Sequence, residues 1–180
     1  MSVLRADAQR NLDRILEAAS EAYAEVGPDV TIDEIARRAG VGHGTVFRRF
    51  PTKAALRAAV IRTRLSEMLA AANQLLGRPD AGAALGEFVW FAADCLRRDK
   101  ALFDGAETCA DADVLHAKQE LHETVDRLIR RARKQGAIRR ELDARDLGAL
   151  VGAAIQASTH AERPETWRRY VQIVLDGLRP

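Results

Sequence analysis

Long apolar runs are missing from this sequence. Nowhere do 18 consecutive residues avoid charge and polarity, so no segment reads as a membrane-spanning helix. The opening MSVLRADAQRNLDRI meets charge too early for the apolar core of a secretory leader, and the expected location is the cytoplasm. Cysteine is scarce: Cys95 and Cys109 form no CxxC pair, suit a reducing compartment and are read as free thiols. His116 and His122 lie six apart on a helix and face different ways, so with the two cysteines they make no metal-ligand set. GxSxG, HExxH and GxxxxGK[ST] are all absent. No catalytic residues, no metal and no cofactor are expected. Aromatics make up only 5% against 47% apolar residues, a mix that suits a helical protein built from aliphatic ridges.

Charge of one sign is missing locally. Net charge is only +2, yet residues 35–66 hold eight basic side chains (Arg37, Arg38, Arg48, Arg49, Lys53, Arg57, Arg62 and Arg64) and no carboxylate. In a chain that is 30% charged, such a window attracts a polyanion, either nucleic acid or an anionic lipid surface. A membrane-surface helix would turn large apolar residues outward beside the basic ones. Here the apolar positions belong to a compact motif instead.

Periodicity sets out that motif. Leu12, Ile15, Leu16, Ala19, Ala22, Tyr23 and Val26 recur at three and four, a helical stripe that Gly27-Pro28 ends. Thr31 with Glu34 reads as a capping box opening a second helix, whose buried side is Ile32, Ile35, Ala36 and Ala39 and whose stop is Gly40. A third helix fits between Gly42 and Pro51. Thr52 caps a fourth that runs to Gly77. GRPDAG, 77–82, is the most turn-like stretch in the middle and marks a division. Beyond it helices are predicted near 81–98, 100–107, 112–135, 144–161 and 164–178, with Gly136 as a stop, Asp143 as a cap and Pro164 in the first turn of the last. No strand alternation stands out, so the fold class is all-α.

AGVGHGTVFRRF, 39–50, could be a phosphate-cradling loop or a helix-turn-helix. A dinucleotide loop needs a strand before its glycines, and TIDEIARRA is helical by period and cap. Small Ala36, Gly40 and apolar Val46 have helix-turn-helix spacing: the alanine lets two helices cross closely, the glycine takes the turn and the valine packs inward. The following helix then presents His43, Thr45, Arg48 and Arg49, with Val46 and Phe50 facing in. An arginine there can bond guanine in bidentate fashion in the major groove.

TIDEIARRAGVGHGTVFRRFPTKAALRAAV, 31–60, resembles the DNA-binding segment of TetR/AcrR-family regulators, and with the preceding helix the likeness covers roughly 10–64. The resemblance implies an N-terminal three-helix helix-turn-helix domain, 1–64 with the start of a linking helix, and a C-terminal helical bundle for dimerisation and effector binding, 65–180. Matched by position, Thr31, Thr45, Arg49 and Lys53 would hold phosphates, while His43, Gly44 and Arg48 would lie on base edges. Gly42 departs from the family's serine-like cap and leaves the recognition helix without a side-chain acceptor. Phe47 stands where tyrosine is common, so its ring packs and offers no hydroxyl. Ala55 replaces a common carboxylate.

A single helix-turn-helix reads few base pairs, so a homodimer on palindromic double-stranded DNA is expected. Its interface is assigned to the last two helices, through Gly148, Val151, Gly152, Ile155, Trp167, Val171 and Val174. Phe88, Trp90, Phe91, Cys95, Phe103, Cys109 and His116 are candidates for a pocket taking a mainly apolar effector. The expected function is a sequence-specific transcriptional regulator, a repressor released by a small molecule and not an enzyme. The alternative is an anion- or phosphate-binding helical enzyme.

Overall fold

The computed structural model describes residues 2–104, 111–139, 141–159, 161 and 163–180. Every regular element among them is a helix: α1 (Ser2–Val26), α2 (Ile32–Ala39), α3 (His43–Arg49), α4 (Lys53–Leu75), α5 (Ala81–Arg98), α6 (Lys100–Phe103), α7 (Ala112–Lys134), α8 (Ala144–Ser158) and α9 (Thr166–Gly177). The all-α reading therefore holds, and most ends fall where the caps place them. Thr52 Oγ1 accepts from Ala55 N at 3.0 Å, and Asp143 forms a full capping box with Asp146. Thr31 caps α2 only by halves. Its hydroxyl accepts from Glu34 N at 3.2 Å, but the Glu34 carboxylate is taken by Arg37 and Arg38 and does not reach back. Pro164 lies before Glu165, the cap of α9, and not inside the first turn.

The chain divides into two compact units: residues 1–64 with 98–115, and 65–97 with 116–180. The division at 64/65 falls within α4, while the 77–82 turn lies inside the second unit. That turn is pinned there, since Gln135 Nε2 donates to Pro79 O at 2.8 Å and Arg131 Nη2 to Arg78 O at 2.6 Å. A turn-rich composition marked a helix break and not a boundary.

In the first unit Ile15, Ala19, Ala22 and Tyr23 of α1 are buried together with Ile35 and Ala36 of α2, Val46 of α3, and Leu56 and Val60 of α4. Burial of each Ile, Val or Leu side chain contributes roughly 1.5–3 kcal/mol, and of each alanine methyl less. Helices as short as α2 and α3 depend on this burial, because isolated helices of such length are marginal in water. Segment 98–115 joins this unit through Asp99, a buried carboxylate that accepts from Ser20 Oγ at 3.1 Å and pairs with Arg64 at 3.2 Å. In the second unit Leu85, Phe88 and Val89 of α5, Val125 and Leu128 of α7, Val151 and Ile155 of α8, and Trp167 and Val171 of α9 form the interior.

Candidate nucleic-acid interface

Helix α2 ends because Gly40 takes φ 62°, a left-handed conformation that side chains with a Cβ resist. Val41 N donates to Ala36 O at 3.0 Å and Gly40 N to Arg37 O at 3.2 Å, a Schellman-type close. The carbonyls still open at this end are met by Arg14 of α1, whose Nε donates to Ala39 O at 3.0 Å and Nη2 to Gly40 O at 2.9 Å. A Cβ on Gly40 would stand 3.0 Å from that same Nη2, so the turn has a second reason for glycine. Arg14 was not foreseen. Its bonds span 25 residues, and nothing local in the sequence marks them.

The turn delivers α3 with Val46 buried and His43, Gly44, Arg48 and Arg49 exposed. Thr45 is half-buried on the same helix. Gly42 caps it without a side-chain bond, as expected. Phe50 closes the motif, buried, with its amide on Val46 O at 2.8 Å.

Charge is distributed less evenly than the sequence window implies. Arg37 and Arg38 both pair with Glu34, at 2.8 and 2.7 Å, and Arg38 also reaches Glu25 at 2.6 Å. These guanidinium hydrogen bonds hold the Glu34 carboxyl at about 2, far below its ordinary 4.5. Arg57 donates to Leu102 O at 2.7 Å, Arg62 pairs with Asp113, and Arg64 pairs with Asp99. Lys53 Nζ rests on Pro28 O at 2.5 Å. Arg48 and Arg49 alone of the eight have neither an ion pair nor a hydrogen bond among the described residues. Unpaired cations on an exposed short helix are what a phosphate- or base-edge-reading surface requires.

Two side chains on this surface are themselves held. Asp33 Oδ1 takes a hydrogen bond from His43 Nδ1 at 2.5 Å. On its other side the imidazole stacks on Phe47, with centroids 6.1 Å apart and planes at 14°. Phe47 is 52% exposed, so its ring packs against His43 and not into the core. Asp33 was missed because its partner stands ten residues on, across the turn.

The remaining candidates are not gathered into one place. Phe88 and Cys95 are buried, Trp90 is half-buried and packs edge-on against Trp167, and Phe91 turns to the surface, off the apolar stripe of α5. His116 is exposed beside Glu120, Phe103 belongs to the first unit, and Cys109 lies outside the described residues. The second unit instead carries a half-open groove of about 380 Å³ lined by Leu85, Gly86, Trp90, Gln172, Leu178 and Arg179, among others. Of the predicted set it includes only Trp90. Among the interface candidates, Val151, Ile155, Trp167 and Val171 are interior to their own unit, because the inward stripes of α8 and α9 close on each other. The outward side shows Gly148, Ala149, Leu150 and Ala153 on α8 and Ile173 on α9, with Gly152 and Val174 half-buried at its margin.

Residues 15–60 match the model for bacterial regulatory proteins of the tetR family, and residues 80–180 match that for the C-terminal domain of SbtR-like transcriptional regulators. This chain belongs to the TetR family. A TetR regulator from Mycobacterium vanbaalenii is 34% identical, with 98% of this chain and 99% of that one covered and a TM-score of 0.73. A TetR regulator from Streptomyces coelicolor is 29% identical over 93% and 98% of the two chains, with a TM-score of 0.72. A transcriptional repressor of Mycobacterium tuberculosis is 48% identical over 59 residues, 31% of each chain. The chain spans less than half the length of the curated relatives it matches. The TetR matches lend the alternative of an anion-binding enzyme no support, and no described helix is long and apolar enough to cross a membrane.

Proposed function

We propose that this TetR-family chain is a sequence-specific repressor that acts as a homodimer on palindromic double-stranded DNA in the cytoplasm. The observation that carries the reading is the pair of guanidiniums on α3 that are unengaged among the described residues, beside six cations tied to their own chain. Arg48, with His43 and Gly44, faces base edges. Arg49, Thr45, Thr31 and Lys53 hold phosphates, Lys53 by exchanging a carbonyl for a phosphate oxygen, since an ammonium gains more from an anion.

Two copies meet through the outward side of α8 and α9, where small residues permit close approach and Leu150 and Ile173, 46% and 61% exposed, supply apolar area. A mainly apolar effector with one polar handle occupies the second unit's groove, which offers Trp90 and Leu178 as walls and Gln172 and Arg179 as polar groups. It releases DNA by favouring a dimer whose two α3 helices are wrongly spaced.

Selection of bound fragments from random duplex tests the reading. A palindrome is expected, and recovery of unrelated sequences would sink it. Light scattering of the Leu150→Arg, Ile173→Arg double variant should give the monomer mass; an unchanged dimer mass would remove this interface.

A further inference from the structure

We propose that Asp33, on α2, is a positioning residue for base selection: it fixes which nitrogen His43 offers to DNA. This rests on the reading that α3 enters the major groove.

A carboxylate only accepts, so the 2.5 Å contact from His43 Nδ1 to Asp33 Oδ1 places a proton on Nδ1. In the neutral ring Nε2 is then the acceptor, and it is the nitrogen left for a partner. Phe47, one helical turn on, stacks on the ring and limits its rotation. An acceptor at this place suits an exocyclic amino group, adenine N6 or cytosine N4, and not guanine O6 or N7.

Asp33 lies in the first turn of α2, where any acidic side chain favours the helix dipole, but that role asks for no contact with His43. The Asp33 side chain is 79% exposed and makes no cap bond to α2. A carboxylate beside a polyanion-binding helix opposes affinity for any duplex. A group that lowers general affinity while orienting one reader raises the ratio of specific to random binding.

The test compares wild type, Asp33→Ala and Asp33→Asn on duplexes in which each selected operator position is varied, at pH 8 and fixed salt. Alanine should lose about tenfold discrimination at one base pair per half-site. It should keep selection at the pair read by Arg48 and bind random duplex equally well or better. Asparagine retains an acceptor without charge and should restore most of the lost selection, which a purely electrostatic role would not allow. In a His43→Ala background Asp33→Ala should change nothing at that pair. Replacing the purine there with its 7-deaza analogue should leave affinity unchanged, because N7 is not read. Unaltered base preference in Asp33→Ala, or equal losses at every position, would overturn the proposal. A wild-type chain that selects no sequence removes the DNA reading itself, an outcome distinct from either.

Discussion

Helices α3 and α4 follow one another directly, and both carry arginines, yet the two sets do different things. On α4, Arg57, Arg62 and Arg64 bond to Leu102, Asp113 and Asp99 within the first unit. On α3, Arg48 and Arg49 are exposed and, among the described residues, unengaged. The same residue type thus builds structure in one helix and leaves a binding surface in the next. What separates them is the location of acceptors. The carboxylates of Asp99 and Asp113 and the carbonyls of Leu102 and Asp104 meet the α4 arginines, whereas no described acceptor meets the two guanidiniums of α3. A sequence window counts charges, and only the fold tells which remain to attract a partner.

Substitutions on the two helices should therefore separate cleanly by readout. The largest effect is expected at Asp99, which is 5% exposed and holds Ser20 and Arg64. Asp99→Ala removes the counter-charge of half-buried Arg64, which keeps its hydrogen bond to Ser20 Oγ, and should cost about 3 kcal/mol in urea unfolding. A loss below about 0.5 kcal/mol would show that α4 arginines are as dispensable to the fold as those of α3. Arg48→Ala should behave in the opposite way, leaving the unfolding midpoint in place while relaxing specificity at one base pair by ~1–3 kcal/mol. Equal losses on specific and random duplex would deny it a base-edge role. Lys53→Ala is expected to weaken all sequences alike and to flatten the salt dependence by about one phosphate per subunit. An unchanged slope would leave Lys53 on Pro28 in the complex as well.

Much of the first unit was legible in the sequence because its signals are local. Thr31, Gly40, Thr52 and the small-residue spacing of the turn act within a few residues of where they stand, and each element begins or ends where they place it. Bonds across long separations left no such trace. Arg14 on the Ala39 and Gly40 carbonyls, and Asp33 on His43, need the fold before they can be seen. In the second unit the apolar periods gave the helices but not which apolar face meets its own chain. Trp167 and Val171 could have been either interior or interface until α8 and α9 were packed together. The groove was missed for a related reason: Gly86, Gln172 and Arg179 are unremarkable singly and line one space only after folding.

A smaller effect concerns buried polarity within the same unit. Tyr23 is enclosed, and its hydroxyl meets no hydrogen-bond partner among the described residues, while burial raises its ionisation above the ordinary range. An unpaired buried hydroxyl disfavours the folded state. Tyr23→Phe should stabilise the protein by about 1 kcal/mol. A lower melting temperature in that variant would mean the hydroxyl has a partner in solution, such as a bound water.

The mildest prediction tests the third fate open to an arginine here, pairing within a helix turn. Glu34 is drawn down to about 2 chiefly by hydrogen bonds from Arg37 and Arg38. A carboxyl whose folded value lies below its unfolded one favours folding at every pH above the unfolded value, near the ordinary 4.5. That contribution fades as pH falls from there toward 2, since protons then bind the unfolded chain more readily. Wild type should therefore lose stability across this window more steeply than Glu34→Gln, with the two curves converging at its acid end. The carboxylate is open to solvent, so the separation at neutral pH is small and should shrink further in high salt. Parallel curves across the window would place Arg37 and Arg38 with Arg48 and Arg49, as cations free to meet DNA, and the contrast between α3 and the rest of the basic window would narrow accordingly.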